Sequence, residues 1–342
     1  MEELTFGEEV LNVQNLHTYL YTRWGIVKAV DGVTFSVSRG ETLGIVGESG
    51  SGKSMTALSL MRLQPRPAGR IVQGEVWLEG TDLLKLSDQQ IQRVRGRDIS
   101  MILQDPQTSL NPVFSVGNQL LEAVGVHNKG IGRKGLVARA VEALRSVRVA
   151  APEQRFQDYP HQMSGGMKQR VVGAISISCE PKVIIADEPT TALDVTIQAQ
   201  YLELLQDIQR DTGLAIIFIT HDFGIVANMC DRVVVMYAGK IVEQGEVREI
   251  FNHPSHPYTR ALLDSVPNLE SKAERLYSIQ GQPPALWDLG TGCRFAPRCP
   301  YSDQRCYDEY PPSYTVKGEH TADCWRLEDA NWRMEPFSGQ HT

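Results

Sequence analysis

No apolar run in this 342-residue sequence is long enough to cross a bilayer; the longest, such as Leu214 to Ile219, fall far short of the roughly 20 residues a spanning helix needs. Positive charge is not in excess either. A formal net charge of −7 argues against a dedicated nucleic-acid binder, which needs a basic face. The opening residues Met1-Glu2-Glu3 are acidic and lack an apolar stretch, so no secretory signal is expected and the chain reads as cytoplasmic. Internal repeats and low-complexity tracts are missing too. Cysteine is scarce and uneven: Cys179 and Cys230 stand alone, while Cys293, Cys299, Cys306 and Cys324 crowd the last part of the chain. What remains is ordinary globular material. A hydrophobic content of 42% with 22% charged residues suffices for a substantial core, and the length suits about two domains.

The pattern of apolar residues alternates between strand and helix. Residues 11 to 46 read as strands, the last of them Thr42 to Val46. A helix is predicted from Lys53 to about Leu63, stopped by Pro65 and Pro67. Strands follow at Glu75 to Leu78 and Ile99 to Leu103, then a mostly helical stretch from about 105 to 180, and further strands at Val183 to Ala186, Leu214 to Ile219 and Val233 to Tyr237. Between two of these, Ile197, Tyr201, Leu204, Leu205 and Ile208 line one helical face that Gly213 is placed to end. Such alternation, with short uninterrupted apolar strands, predicts an α/β fold with a mainly parallel sheet covered on both faces. After about residue 250 proline becomes frequent, and the tail reads as a second small unit with little helix or strand of its own.

Gly47-Glu48-Ser49-Gly50-Ser51-Gly52-Lys53-Ser54 is G-x-x-x-x-G-K-S between a strand and a helix. Glycines there let backbone N–H groups wrap phosphate oxygens, and the helix N-terminus adds favourable dipole charge. Lys53 is placed to reach the β- and γ-phosphates and the Ser54 hydroxyl to ligate Mg²⁺, with Met55 next along the helix. This loop predicts a P-loop NTPase but leaves its class open. Downstream, the buried strand Val183 to Ala186 ends in Asp187 and Glu188. A carboxylate at such a tip suits Mg²⁺, which keeps much of its water shell, and a neighbouring one can polarise an attacking water. Two solvated strand-end acids are the plainer reading. Met163-Ser164-Gly165-Gly166-Met167 opens another helix, where Ser164 can serve an anion or act as an N-cap alone.

In this order the P-loop, Gln104, Ser164-Gly165-Gly166, Asp187-Glu188, Ala192-Leu193-Asp194 and His221 resemble the ATPase subunit of an ATP-binding-cassette (ABC) transporter, over roughly residues 10 to 245. The resemblance implies a head-to-tail dimer with ATP and Mg²⁺ between one subunit's P-loop and the other's Ser-Gly-Gly signature. It makes Glu188 the catalytic base, with His221 steadying the γ-phosphate and the attacking water. Gln104 would sense the γ-phosphate and Mg²⁺, alongside Asp187, and Asp194 would contact the opposite site. The signature departs from the usual Leu-Ser-Gly-Gly-Gln in carrying Met163 and Met167. The position of the adenine-stacking aromatic falls on Leu20, which leaves Tyr21 or Trp24 as the expected ring, against a plain strand role for both.

The segment His253-Pro254-Ser255-His256-Pro257-Tyr258-Thr259, with Arg260 to Leu263, resembles the C-terminal extension of the oligopeptide, dipeptide and nickel uptake branch of that family. The expected organisation is a nucleotide-binding domain over 1–245 with its helical subdomain at about 105–180, a loop-rich extension over 246–326 carrying the cysteine cluster, and a tail over 327–342. Spacing of C-x5-C-x6-C-x17-C lacks the tight pairs of zinc ribbons and suits an iron–sulfur cluster, with zinc, disulfides or free thiols as alternatives. Branch members hold a [4Fe–4S] cluster on cysteines in this position, so the resemblance points to Cys293, Cys299, Cys306 and Cys324 as its ligands. It also implies a heterodimer with a second ABC ATPase, seated on the cytoplasmic face of the membrane against two permease subunits. An extracytoplasmic solute-binding protein supplies the cargo in such systems, and nucleic acid has no part. Peptides are the expected cargo; nickel, glutathione or oligosaccharides, or a soluble ABC ATPase unconnected with transport, are the alternatives.

Overall fold

The computed structural model describes residues 7–266, 278–329 and 331–335, so half of the expected 327–342 tail lies outside the described residues. The chain divides by compactness into two interleaved units. One is built on Trp77–Phe218 with Ser36–Thr42 and the chain up to Leu11. The other comprises Asn12–Phe35, Leu43–Val76 and the chain from Ile219 onward.

The first unit is rich in helix. Val116–His127, Arg133–Ser146, Gly165–Ile177 and Val195–Thr212 are its longer helices. Local chemistry sets their ends: the side chains of Ser115, Ser164 and Asp194 each accept an N–H from the first helical turn. Gly213 closes the last helix at a φ of 68°, a left-handed position where glycine carries no Cβ penalty. That helix buries Tyr201, Leu204 and Leu205, the face expected from the 3.6-residue period. Strands Ile99–Ile102 and Val183–Asp187 pair in parallel, from Ile99 beside Val183 to Ile102 beside Ala186. Every residue of Val183–Asp187 is buried, as a strand covered on both faces requires.

In the second unit, Leu43 to Val46 pairs in parallel with Arg232–Tyr237. From there the sheet turns antiparallel. Arg232–Tyr237 pairs with Lys240–Glu246, which in turn pairs with His320–Ala322, and Tyr314–Lys317 lies beyond. The tail therefore has strands of its own, unlike the loop-rich segment expected, and they lengthen the sheet rather than forming a separate body. Helices Val247–Asn252 and Pro257–Asp264 belong to it as well. Tyr258 and Phe295 of the tail enter the same core as Tyr237, the three rings lying 4.5 to 5.3 Å apart between centroids. A buried carboxylate ties these pieces together. Glu243 is 1% exposed and accepts hydrogen bonds from the Ser255 N–H (2.6 Å), the His256 N–H (3.0 Å) and His320 Nε2 (2.8 Å). Fully paired, such a group fixes register; unpaired, it would cost several kcal/mol, on the order of 3–5.

Among the described residues no helix is long and apolar enough to cross a membrane.

Candidate nucleotide site and cysteine cavity

The glycine loop lies in the second unit and is shaped by what its glycines lack. Gly47 has a φ of 153°, and a Cβ there would sit 2.2 Å from the Met236 carbonyl oxygen. Gly52 has a φ of 107°, with the Ala29 carbonyl 2.3 Å from where a Cβ would be. Only glycine permits either approach. Gly52 then starts the helix Lys53–Leu60, whose first-turn N–H groups have no acceptor within an α-helix of their own. Lys53 Nζ donates to the carbonyls of Gly47 (2.7 Å) and Glu48 (3.0 Å). Its ammonium is thus held at the rim of the cradle by weakly competing acceptors. The loop is also fastened behind, where Gly239 N–H donates to the Ser51 carbonyl at 2.8 Å. Ser49, Gly50 and Ser54 are exposed, while the Ser51 hydroxyl is buried and has no hydrogen-bond partner among the described residues.

The first unit brings together two of the residues expected to act on the γ-phosphate. Gln104 Nε2 donates to Glu188 Oε2 at 2.9 Å, and Thr191 Oγ1 donates to the same oxygen at 3.1 Å. Glu188 follows the buried Asp187 with a φ of 45°, a left-handed conformation uncommon for a residue with a side chain. That kink turns its carboxylate out of the strand line. Backbone held this way costs about 1–3 kcal/mol and is a frequent mark of a working residue.

In the same unit Ser164 and Asp194 each stand at a helix N-terminus, Ser164 Oγ accepting from Met167 N–H at 3.3 Å and Asp194 Oδ1 from Ile197 N–H at 3.0 Å. Gly166 packs against Ile197 so closely that a Cβ would lie 2.6 Å from its methyl carbon, which sets the two helix starts side by side. Ser164 and Gly165 face solvent, and a Cβ on Gly165 would meet nothing within 4 Å.

In the second unit His221 is exposed between the strand Ala215–Thr220 and the helix Phe223–Met229, whose N-cap is Asp222. Tyr21 and Trp24 are 41% and 68% exposed, with the Arg70 guanidinium 4.9 Å from the Tyr21 ring and that of Arg23 4.5 Å from the Trp24 ring. Both rings are open to a stacking partner, and the geometry does not separate them.

Comparison with known proteins decides the family. A model described as "ABC transporter" matches residues 30–191, and one described as "Oligopeptide/dipeptide transporter, C-terminal region" matches 242–306. A probable peptide ABC transporter ATP-binding protein of Sinorhizobium fredii is 50% identical over 321 residues, covering 94% of this chain and 96% of that one. The chain belongs to the ABC transporter ATP-binding proteins. Another relative, the dipeptide transport ATP-binding protein DppD of Bacillus subtilis, is 48% identical over 332 residues, or 97% of this chain and 98% of its own. Among solved structures, the dimeric bacterial ABC transporter cassette MJ0796 aligns with a TM-score of 0.62 at 25% identity, covering 70% of this chain and 99% of that one. As an ABC ATPase the chain is an ATP hydrolase, with the P-loop NTPase fold expected from its sequence.

All four clustered cysteines line one small cavity of the second unit, together with His256, Phe295 and Trp325. Burial pushes the Cys293 thiol up to about 11 and those of Cys299 and Cys324 up to about 12. Neighbouring backbone N–H groups work the other way and lower the thiols: those of Phe295 and Ala296 for Cys293, that of Tyr301 for Cys299 and that of Arg326 for Cys324. Donors beside sulfur suit thiolates. Among the described residues no group of three or more His, Cys, Asp or Glu is drawn together tightly enough to hold a single metal ion. The expected metal-binding character of the extension is therefore not carried by the structure itself, which shows four convergent thiols and no compact single-ion cage. Cys230, away from this cavity, has its thiol raised by burial against the core, as a small apolar residue would.

Sequence reasoning missed the side chains that join the cysteine-bearing segment to the phosphate loop. Arg298 places its guanidinium on both oxygens of Glu48, at 2.7 and 3.0 Å, and donates to the Tyr237 hydroxyl at 3.2 Å. The Glu48 N–H donates to the Tyr258 hydroxyl at 2.8 Å. Nearby, Arg294 is ion-paired with Asp31 and hydrogen-bonded to the Ala238 carbonyl. Burial opposes the Asp31 charge, but the Tyr19 hydroxyl and Arg294 outweigh it and bring the carboxyl down to about 2. Single arginines at no motif spacing carry no signal that a sequence pattern could reveal.

Proposed function

We propose that the protein is the ATP-hydrolysing subunit of a membrane importer of dipeptides and oligopeptides, working at the cytoplasmic face as a peripheral subunit. The observation that carries the catalytic reading is the Gln104–Glu188 hydrogen bond at the kinked end of a buried strand. The cargo reading is supported by the tail's match to the oligopeptide/dipeptide transporter C-terminal region. In this reading residues 1–245 form the nucleotide-binding module, with its helical part at about 105–180, and 246–326 form the extension.

ATP lies in the glycine loop, where the backbone N–H groups of Gly50, Gly52 and Lys53 receive phosphate oxygens, the Ser51 N–H holds the turn on the Glu48 carbonyl, and Tyr21 or Trp24 covers the base. Lys53 leaves the carbonyls of Gly47 and Glu48 for the β- and γ-phosphates, a stronger, charge-assisted partner. Ser54, Gln104 and Asp187 are the oxygen donors that would hold Mg²⁺, which neutralises phosphate charge when bound; hard oxygen ligands of this kind fit it. Glu188 takes a proton from the attacking water, and Gln104 and His221 orient that water and the γ-phosphate. Ser164, Gly165, Gly166 and Asp194 of a second ABC ATPase close the site from the other side, where their exposed helix starts offer N–H groups to an anion. Closing and reopening the pair drives two permease subunits that receive cargo from an extracytoplasmic binding protein.

Cys293, Cys299, Cys306 and Cys324 would hold a [4Fe–4S] cluster. All four line one cavity, and thiolates are the ligands such a cluster takes. When bound it would brace the segment from Cys293 to Cys324.

The test is uptake. A chromosomal Glu188→Gln substitution is expected to abolish ATP-driven import of labelled dipeptides and oligopeptides, while Lys53→Ala abolishes ATP binding as well. Undiminished peptide uptake in the Glu188→Gln strain, or co-purification with ribosomes in place of membranes, overturns the reading.

A further inference from the structure

Glu48 is an odd residue to find at the mouth of a phosphate cradle. It is a carboxylate next to Gly47, in a loop whose purpose is to receive polyanions, and its side chain is only 28% exposed. An unpaired charge there would repel the ligand at short range, in surroundings that screen it poorly. The structure answers that charge from a distant part of the chain. Arg298, whose side chain is 4% exposed, covers both carboxylate oxygens in a two-pronged contact at 2.7 and 3.0 Å. Planar bidentate pairing of this kind fixes direction as well as charge.

Every other polar handle of Glu48 is taken. Its N–H donates to the Tyr258 hydroxyl at 2.8 Å, and its carbonyl accepts from Ser51 N–H (3.2 Å) and Lys53 Nζ (3.0 Å). Glu48 is thus the joint between three things: the lysine that must reach the phosphates, the turn that forms the cradle, and the C-terminal extension. Arg298 is steadied in turn by the Gln280 carbonyl (3.0 Å) and the Tyr237 hydroxyl (3.2 Å), and it directly precedes Cys299.

We propose that Arg298 is a positioning residue for the nucleotide site: it neutralises the Glu48 carboxylate and holds it in one place, so that the loop of this chain receives a triphosphate without repelling it. The proposal rests on the reading that the glycine loop holds ATP.

A charge cycle tests it. Equilibrium ATP affinity and kcat are measured separately in the full-length protein for Arg298→Ala, Arg298→Lys, Glu48→Gln and the double variant Arg298→Ala/Glu48→Gln. Arg298→Ala is expected to weaken ATP binding about tenfold at low salt with kcat changed less than about threefold, and the loss is expected to shrink as salt rises. Arg298→Lys restores part of it, since a lysine supplies the charge without the fork. Glu48→Gln binds ATP as tightly as the wild type or more so, and the double variant returns to within about twofold of wild type. A merely structural arginine predicts the reverse, a double variant no better than Arg298→Ala; that result, or wild-type ATP affinity in Arg298→Ala, overturns the proposal. Where Arg298→Ala fails to fold, Glu48→Gln alone decides: weakened ATP binding in that variant sinks the idea. If Lys53→Ala binds ATP as the wild type does, it is the loop assignment that has failed and not the role of Arg298.

Discussion

The phosphate loop and the cysteine cavity are both irregular backbone in the same compact unit, yet they are held by opposite means. The loop is held by what is missing from it. Gly47 and Gly52 let the chain pass within contact of the Met236 and Ala29 carbonyls, and no side chain could follow. The cavity is held by what is present: four thiols along its wall, backbone N–H groups beside three of them, and the arginines on either side of Phe295. A loop of the first kind has one shape that a ligand finds ready. A segment of the second kind depends on partners brought from elsewhere, and its shape is only as secure as those partners.

The largest effect expected separates chemistry from both. Glu188→Gln keeps the hydrogen-bonding shape of the carboxylate but cannot take a proton, so single-turnover hydrolysis should fall about 10²–10⁴-fold while ATP binding stays as in the wild type. A loss of ATP binding in that variant would blur the contrast. Next come the two glycines that define the loop's kind of order. Gly52→Ala forces a Cβ to within 2.3 Å of a carbonyl at a φ of 107°, and should cost on the order of 2–5 kcal/mol in chemical denaturation, with ATP binding lost. Gly50→Ala at a φ of 79° meets nothing within 4 Å and should cost only about 1–2 kcal/mol. Equal costs would show that conformation alone, not the close approach, shapes the cradle.

At the cavity, the proposed cluster predicts that Cys306→Ser lowers iron content in protein purified without oxygen and brings down the melting temperature by a few degrees, about 1–2 kcal/mol, with turnover reduced less than in either case above; protein that carries no iron in either form overturns the cluster. The smallest effect concerns Asp31. Its carboxyl lies below its ordinary value, so the stability it contributes is fully present above about 4 and is lost as pH falls toward about 2. Urea unfolding between pH 5 and 3 should show a steeper decline in the wild type than in Asp31→Asn; parallel curves would remove the Arg294–Asp31 pair from the account.

What could be read in advance follows the same division. The phosphate loop was legible because its constraint is written in consecutive residues, glycines at fixed offsets before a helix. The strand ending at Asp187 and the helix closed by Gly213 were legible for the same local reason. The end of the first helix was not. It stops at Leu60 rather than about Leu63, because Arg62 takes a left-handed φ of 54° that no glycine announces. The strands Tyr314–Lys317 and His320–Ala322 escaped notice too, being short, joined through Gly318 and preceded by prolines. Their existence depends on an edge offered by Lys240–Glu246, which local pattern cannot supply. Of the candidate site, the order along the chain singled out Glu188, Gln104, Ser164 and Asp194, and the structure joins Gln104 to Glu188 and sets Ser164 and Asp194 at helix starts. Arg298 and Tyr258 were not singled out, since their meaning comes only from meeting Glu48.

The pairing of His320–Ala322 with Glu243 and Gln244 has a practical consequence. Cutting the chain at the shift in composition near residue 245 would strip a neighbour from the Lys240–Glu246 strand and leave its amides and carbonyls bare along one side. Bare margins of that sort recruit copies of themselves, and the shortened protein would be prone to stick and precipitate. For anyone trimming this protein for expression or grafting its extension onto another ATPase, the last strands are a selvedge woven into the cloth rather than a fringe that can be cut away.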